Sequence, residues 1–276
     1  MAWSLEAEAG ERGTGWLGGT PVVLLVALAA ALAACAMLAA RGWLPRAALG
    51  AAAVTAGHGA LIATALAWTA RDDADAWDPR RATAVALVLI AAGASLAASA
   101  RHGAFGHLLL PVAGLVLIRR GRLAGVGLES RPPLRAVVVG AGVGAFLGAH
   151  LLLSASLTHG HGLRGDGLVA WLAAVSYDAG LNVVSSELLF RGALLRRALA
   201  RWPLAPAIAL STGASLARYL VDPLLPGAVE TVVGAVAYLT LLGVASAWLA
   251  WWSASVAPAM AASLAFFAAY RLVSVG

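Results

Sequence analysis

A carboxylate and a guanidinium stand four residues apart in a strongly apolar stretch of this chain. Glu187 and Arg191 belong to the segment SSELLFRG, which follows a run rich in Leu, Val and Ala. On a helix, Glu followed by Arg at i+4 has the favourable orientation for an ion pair. Within a bilayer, a charged side chain near the helix centre costs about 2.5–3.5 kcal/mol and usually faces the bundle interior. Arg191 is near the predicted end of this span, so its side chain can reach the cytoplasmic surface.

Further polar residues precede this pair in the same apolar run. Asp178 and Asn182 are four residues apart, and Ser185 or Ser186 follows at i+7 or i+8. Such spacing places these side chains on one face of a helix. Glu187 and Arg191 would lie on an adjacent face of the same helix.

Two later apolar runs carry one notable polar residue each. Arg218 is near the outer end of its run, and Asp178 and Asp222 are its candidate partners. Ser263 is the only mid-span polar side chain of the last run, and a lone Ser in a membrane helix usually bonds to its own backbone. These residues indicate either structural pairing or a polar site between the sixth, seventh and ninth runs.

The composition predicts an all-α polytopic membrane protein. Of 276 residues, 61% are hydrophobic and 12% are charged, about half the charge of a soluble domain. A helix that crosses a bilayer needs about 20 mostly apolar residues. The chain offers eight or nine such runs, the fourth of them short: 20–40, 47–70, 82–99, 103–118, 134–156, 167–190, 203–220, 230–252 and 254–272. Residues 191–201 are predicted to be a connector.

The arginines predict the orientation of the chain. All 19 basic residues are Arg, and no Arg run is interleaved with aromatic residues, so they indicate a coding bias rather than nucleic-acid binding. With nine spans and a cytoplasmic N-terminus, 13 of the 19 fall on the inside, as the positive-inside rule favours. We expect an integral protein of a bacterial inner (cytoplasmic) membrane, with the lipid bilayer as its surroundings.

Three segments resemble one family. SELLFRG is similar to the EExxFRG signature of the CPBP family, the CAAX-protease and bacteriocin-processing membrane proteins that include Rce1-type endopeptidases. VGLESRPPLR (126–135) resembles the GLxxxPPLR entry to that family's core, and ASVAPAMAASLAFF (254–267) resembles its final core helix. The resemblance implies a CPBP-like core over residues 123–276, preceded by transmembrane helices of unknown role over 1–122.

The chain departs from the family pattern at the catalytic positions. Ser186 stands in place of the first Glu, which the family is proposed to use to activate water. In the next span, Ala214 and Arg218 replace the Phe and His of FxxxH. In the last span, Ser263 and Phe267 replace the His and Asn of HxxxN. Only Glu187 and Arg191 remain as remnants of the motif.

These replacements weaken the case for hydrolysis. A base for water and a group that stabilises the oxyanion are required. Glu187 paired with Arg191 would be a weak base, and only Arg218 could take the oxyanion role. A nucleophilic Ser186 or Ser263 would need a nearby His or Lys, but the chain has no Lys and no His after residue 161. The HGHG segment (159–162) is interpreted as a loop, and no metal or cofactor is expected.

Three functions are therefore open. The first is a catalytically degenerate CPBP-like protein that recognises or scaffolds a membrane-anchored or C-terminal protein segment, or a related active protease. The second is an active intramembrane endopeptidase that uses Glu187. The third is a transporter or channel subunit, which would predict discontinuous helices or matched repeats.

Overall fold

The chain forms a bundle of helices. The computed structural model describes residues 16–69, 78–100, 102–119, 123, 127–128, 134–160, 162–163, 167–220 and 229–274, without the side chains of 159, 229–233 and 235. Within these residues there are nine helices: α1 (Val22–Ala40), α2 (Arg46–Thr69), α3 (Pro79–Ser99), α4 (Leu109–Arg119, preceded by a 3-10 turn over Gly103–Leu108), α5 (Leu134–His159), α6 (Leu168–Leu199), α7 (Leu204–Leu220), α8 (Val229–Ser253) and α9 (Ala257–Tyr270). A two-residue antiparallel pairing joins β1 (Gly162–Leu163) to β2 (Val273–Ser274).

The helices match the apolar runs of the sequence, and the prediction of an all-α polytopic membrane bundle is confirmed. Among the described residues, six helices are long and apolar enough to cross a bilayer, and two shorter apolar helices cover Gly103–Arg119 and Ala257–Tyr270. Local sequence signals mark where some helices begin. Asp78 caps α3 by accepting a hydrogen bond from the Arg80 backbone N–H, and Pro79 follows at the first helical position. The number of spans, eight or nine, stays a prediction.

α6 is longer and less regular than the sequence predicts. It continues for 32 residues to Leu199, so the prediction of a connector from residue 191 is wrong. Two wider π-helical segments, Asp178–Asn182 and Leu188–Leu194, interrupt its α-helical geometry. Such segments occur often at functional sites. They flank Ser185, Ser186 and Glu187, which are all buried.

A glycine stripe brings α5 and α9 into close contact. Gly140, Gly144 and Gly148 recur every four residues on α5 and face α9. A Cβ at Gly140 would collide with the Pro258 carbonyl, and one at Gly144 with the Ala262 carbonyl. Small residues at this spacing allow membrane helices to pack backbone to backbone. The stripe therefore positions α9 and its Ser263.

The N-terminal helices differ in how they join the rest of the bundle. α1 has no buried residue. By contrast, α2 packs on both α3 and α6: Ile62 of α2 and Leu181 of α6 belong to one buried cluster that also includes Ile90. This packing crosses the predicted division between residues 1–122 and 123–276, which stays a prediction.

The glycine stripe yields a matched pair of substitutions. Gly144→Ala should lower the free energy of unfolding by about 1–3 kcal/mol, because the added methyl overpacks the contact with α9. Gly142→Ala is the control, since a Cβ there meets no atom within 4 Å. Unfolding of the purified protein in detergent measures both. Equal stability of the two variants would contradict the close packing of α5 on α9.

Candidate functional site

The motif remnant on α6 forms a buried cluster with α9. Arg191 Nε is 3.4 Å from Glu187 Oε2, and the Ser263 hydroxyl donates to Glu187 Oε1 at 2.7 Å. Glu187 is 3% exposed and Arg191 1%. The expectation that Arg191 reaches the membrane surface is therefore wrong, because α6 continues beyond it. Ser263 donates its hydroxyl proton to another helix, contrary to the expected bond within its own backbone.

Arg191 also binds the neighbouring helix α8. Its Nη2 donates to the Gly243 carbonyl at 3.2 Å, and a Cβ at Gly243 would stand 2.7 Å from Thr212 Cγ2 of α7. Inside the second π segment, the Phe190 carbonyl accepts a 2.7 Å hydrogen bond from the Ser211 hydroxyl. Here α6 is linked to α7, α8 and α9 within one layer of the bundle. We call Ser186, Glu187, Arg191 and Ser263 the inner cluster.

A second polar layer surrounds the first π segment. Arg271 holds Asp178 with two bonds, Nε to Oδ2 at 2.7 Å and Nη2 to Oδ1 at 3.0 Å. Asn182 Nδ2 donates to Asp178 Oδ1 at 3.0 Å, and Arg218 Nη1 donates to Asn182 Oδ1 at 2.8 Å. Arg218 thus reaches Asp178 through Asn182, and its other predicted partner, Asp222, lies outside the described residues. The sequence analysis did not anticipate Arg271, which follows α9 directly.

α2 supplies a histidine that the sequence analysis did not place at the site. His58 Nδ1 is 2.7 Å from the Ser185 hydroxyl, and His58 Nε2 is 2.9 Å from the Tyr177 hydroxyl. Both ring nitrogens of the buried His58 therefore have hydrogen-bonding partners on α6. We call Asp178, Asn182, Arg218 and Arg271, together with His58, Tyr177 and Ser185, the outer cluster. A histidine in the middle of an apolar run was its only sequence signal, and its partner is 127 positions away.

The Ser185–His58 contact corrects one step of the sequence argument. A serine nucleophile was dismissed because no His lies in the later spans, yet α2 brings one into hydrogen-bonding distance. Nucleophile and base in contact are the first requirement of serine catalysis. However, Ser185 is 0% exposed, and Ser and His side chains commonly join membrane helices by such bonds. We therefore interpret this contact as a link between α2 and α6.

The positions that replace family residues converge between α6, α7 and α9. Ser186 and Phe267 are both buried, and the rings of Phe267 and Tyr219 have their centroids 5.6 Å apart. Arg218 precedes Tyr219, and its guanidinium carbon lies 4.6 Å from the centre of that ring. Polar side chains therefore join α6 to α7 through Arg218 and to α9 through Ser263, and a functional site at this place stays a prediction.

The described residues contain no group of three or more His, Cys, Asp or Glu side chains that could hold a metal ion. The side chain of His159 and all of His161 lie outside the described residues, so the structure does not address the HGHG loop.

Comparison of the chain with protein-family models, with curated proteins and with solved structures found no match. The assignment to the CPBP family therefore depends on the motif residues alone and stays a prediction. The fold and the buried clusters place the chain among polytopic helical membrane proteins.

Removing one charge of the inner cluster should strongly destabilise the folded protein. Glu187→Gln should lower the free energy of unfolding by about 3–5 kcal/mol, because Arg191 would remain buried without a counter-charge. Folded yield in membranes and unfolding in detergent measure this loss. Arg81→Gln is the control, since it removes a 3.6 Å ion pair with Asp78 whose Arg side chain is 85% exposed.

Replacing both charges separates pairing from packing. The double variant Glu187→Met/Arg191→Met should recover much of the lost stability, because apolar side chains of similar size often substitute well for a buried ion pair. A double variant no more stable than Glu187→Gln alone would contradict the ion-pair interpretation.

The link between α2 and α6 can be measured as a coupling energy. A double-mutant cycle of His58→Ala and Ser185→Ala should give about 0.6 kcal/mol, and at most about 2 kcal/mol, which is the range for polar contacts between membrane helices. Thr55→Ala with Ser185→Ala is the control cycle, because Thr55 lies one turn earlier on α2 and bonds its own backbone at Ala51. If the two cycles gave the same coupling, the His58–Ser185 bond would not join the helices.

Proposed function

We propose that this integral membrane protein is a degenerate relative of the CPBP intramembrane endopeptidases, and that it recognises a membrane-anchored segment of another protein without cutting it. The observation that supports the proposal is the convergence of the family's motif positions. Glu187 on α6 and Ser263 on α9 share a 2.7 Å hydrogen bond, and Arg218 on α7 reaches α6 through Asn182. Motif positions on α7 and α9 thus each contact α6, in two neighbouring polar layers of the bundle.

The bonding of Glu187 argues against proteolysis. One carboxylate oxygen accepts the Ser263 hydroxyl, and the other faces the Arg191 guanidinium at 3.4 Å. The carboxylate is thus engaged by two protein groups and is only 3% exposed, whereas a general base must reach the water that it activates. Ser263 stands where the family has an imidazole, so hydroxyl and guanidinium groups replace both ring bases. By resemblance, the site has lost both imidazole bases of the family pattern.

Recognition is the function that such a site can retain. Charged groups persist inside membranes where they pair with each other or with a ligand. Arg218 is only half-buried, and its guanidinium can approach a carboxylate of an incoming segment more closely than the enclosed Arg191. By resemblance, the ligand is a C-terminal tail or a membrane-anchored segment, or else a related active protease. We propose a bacterial inner membrane as its location, and the arginine distribution favours a cytoplasmic N-terminus.

A membrane-anchored reporter with a C-terminal tail tests binding and cleavage together. A photo-reactive residue replaces Ala214, which lies one helical turn before Arg218, and a second version carries it at Gly142, which faces away from the site on α5. We expect the reporter to cross-link at position 214 and not at 142, without being cleaved. Arg218→Ala should reduce the cross-link about thirtyfold or more, because a desolvated charge pair contributes roughly 2 kcal/mol or more.

The same assay distinguishes the alternatives. Cleavage of the reporter that disappears in Glu187→Ala would replace the proposal with an active endopeptidase that uses Glu187. Equal cross-linking at positions 214 and 142, or a cross-link that is unchanged by Arg218→Ala, would contradict recognition at this site.

A further inference from the structure

An apolar cavity lies between the N-terminal helices and α6, apart from both polar clusters. Its volume is about 280 Å³, and every residue that lines it is apolar. Ile62 of α2, Ala86 of α3, Gly114 of α4 and Leu188 of α6 contribute to its walls. Along α4 the lining extends from Leu110 to Ile118, about 12 Å at the rise of an α-helix. The cavity is therefore long and narrow.

The cavity opens sideways towards the hydrocarbon of the bilayer. Val85 of α3 and Leu115 of α4 line it and are also 48% and 56% exposed. The two helices thus leave a lateral gap. An α-helix with its side chains is about 10–12 Å wide, which is too large for a cavity of this volume. A single flexible chain suits the dimensions better.

One end of the cavity carries arginines. Arg80 and Arg81 directly precede the lining residue Ala82, and Arg119 directly follows the lining residue Ile118. Leu128 also lines the cavity, and a Cβ at its neighbour Gly127 would stand 3.5 Å from Arg196 Nη2. We call Arg80, Arg81, Arg119 and Arg196 the basic end. Arg80, Arg81 and Arg119 are exposed, so they can meet a ligand at the membrane surface.

We infer that this cavity holds one acyl chain of an anionic phospholipid, with the phosphate at the basic end. The apolar walls match the chain, and arginines beside a membrane attract anionic head groups. The lateral gap lets a lipid enter from the bilayer. The bound chain would fill the space between α3, α4 and α6 and so support the helices behind Ser185 and Glu187. This lipid site is independent of the proposed recognition function.

Filling the cavity tests the acyl chain. Gly114→Phe adds a side chain where a Cβ meets no atom within 4 Å, and Gly142→Phe is the matched control on α5. Each protein is placed in nanodiscs of phosphatidylethanolamine with a minor share of phosphatidylglycerol that carries a photo-reactive acyl chain. We expect labelling of α3 and α4 in the parent and in Gly142→Phe, and a decrease of about tenfold in Gly114→Phe, because each displaced methylene weakens binding.

Removing the arginines tests the head group and does not depend on folding around a new aromatic ring. Arg80→Gln with Arg119→Gln should lower phosphatidylglycerol labelling about fivefold or more, and Arg46→Gln at the other end of α2 should leave it unchanged. Equal labelling in Gly114→Phe and Gly142→Phe would overturn the cavity as the site. Equal labelling by phosphatidylethanolamine, or cross-links to a second copy of this chain, would overturn the anionic phospholipid as its occupant.

Discussion

A carboxylate and a guanidinium that water cannot reach must find their partners within the protein, and this requirement organises the C-terminal half of the bundle. Glu187 and Arg191 face each other on α6, and their remaining bonds go to the Ser263 hydroxyl and the Gly243 carbonyl. An unpaired charge in this environment would cost several kcal/mol. The pair therefore sets the distances of α8 and α9 from α6, and the α5 glycine stripe lets α9 keep that distance.

One helix, α6, serves two polar layers because other helices surround it. A regular helix distributes Asp178, Asn182, Ser185 and Glu187 over two faces. These side chains are nevertheless all buried, since α2, α7, α8 and α9 all contact this part of α6. The segment between the two π segments carries Glu187, and the second π segment carries Arg191. Departures from α-helical geometry are thus concentrated where the polar residues lie, and the other described helices remain regular in the membrane.

The predictable part of this structure follows from local patterns. Long apolar runs gave helix positions within a few residues, and the Glu187–Arg191 spacing gave the ion pair, because both depend on neighbours within one or two turns. Arg191 is buried because α6 continues to Leu199. No proline near residue 190 shows from the sequence whether the helix ends there. The contact of His58 with Ser185 depended on how α2 packs against α6, and no local pattern encodes the packing of helices so far apart in the chain.

α1 has a different relation to the bundle, since none of its residues is buried. Polar ties form in the segment just before it, where Arg197 donates to the backbone carbonyls of Trp16 and Gly18 and the Trp68 indole donates to the Thr20 hydroxyl. α1 contacts α2 along one partly covered face, and its remaining apolar side chains can face lipid. During biosynthesis, α1 can therefore enter the bilayer as a separate unit, long before α6 has been translated. The hydrogen bonds from Arg197 to the residues before α1 would then form only after the C-terminal half has assembled.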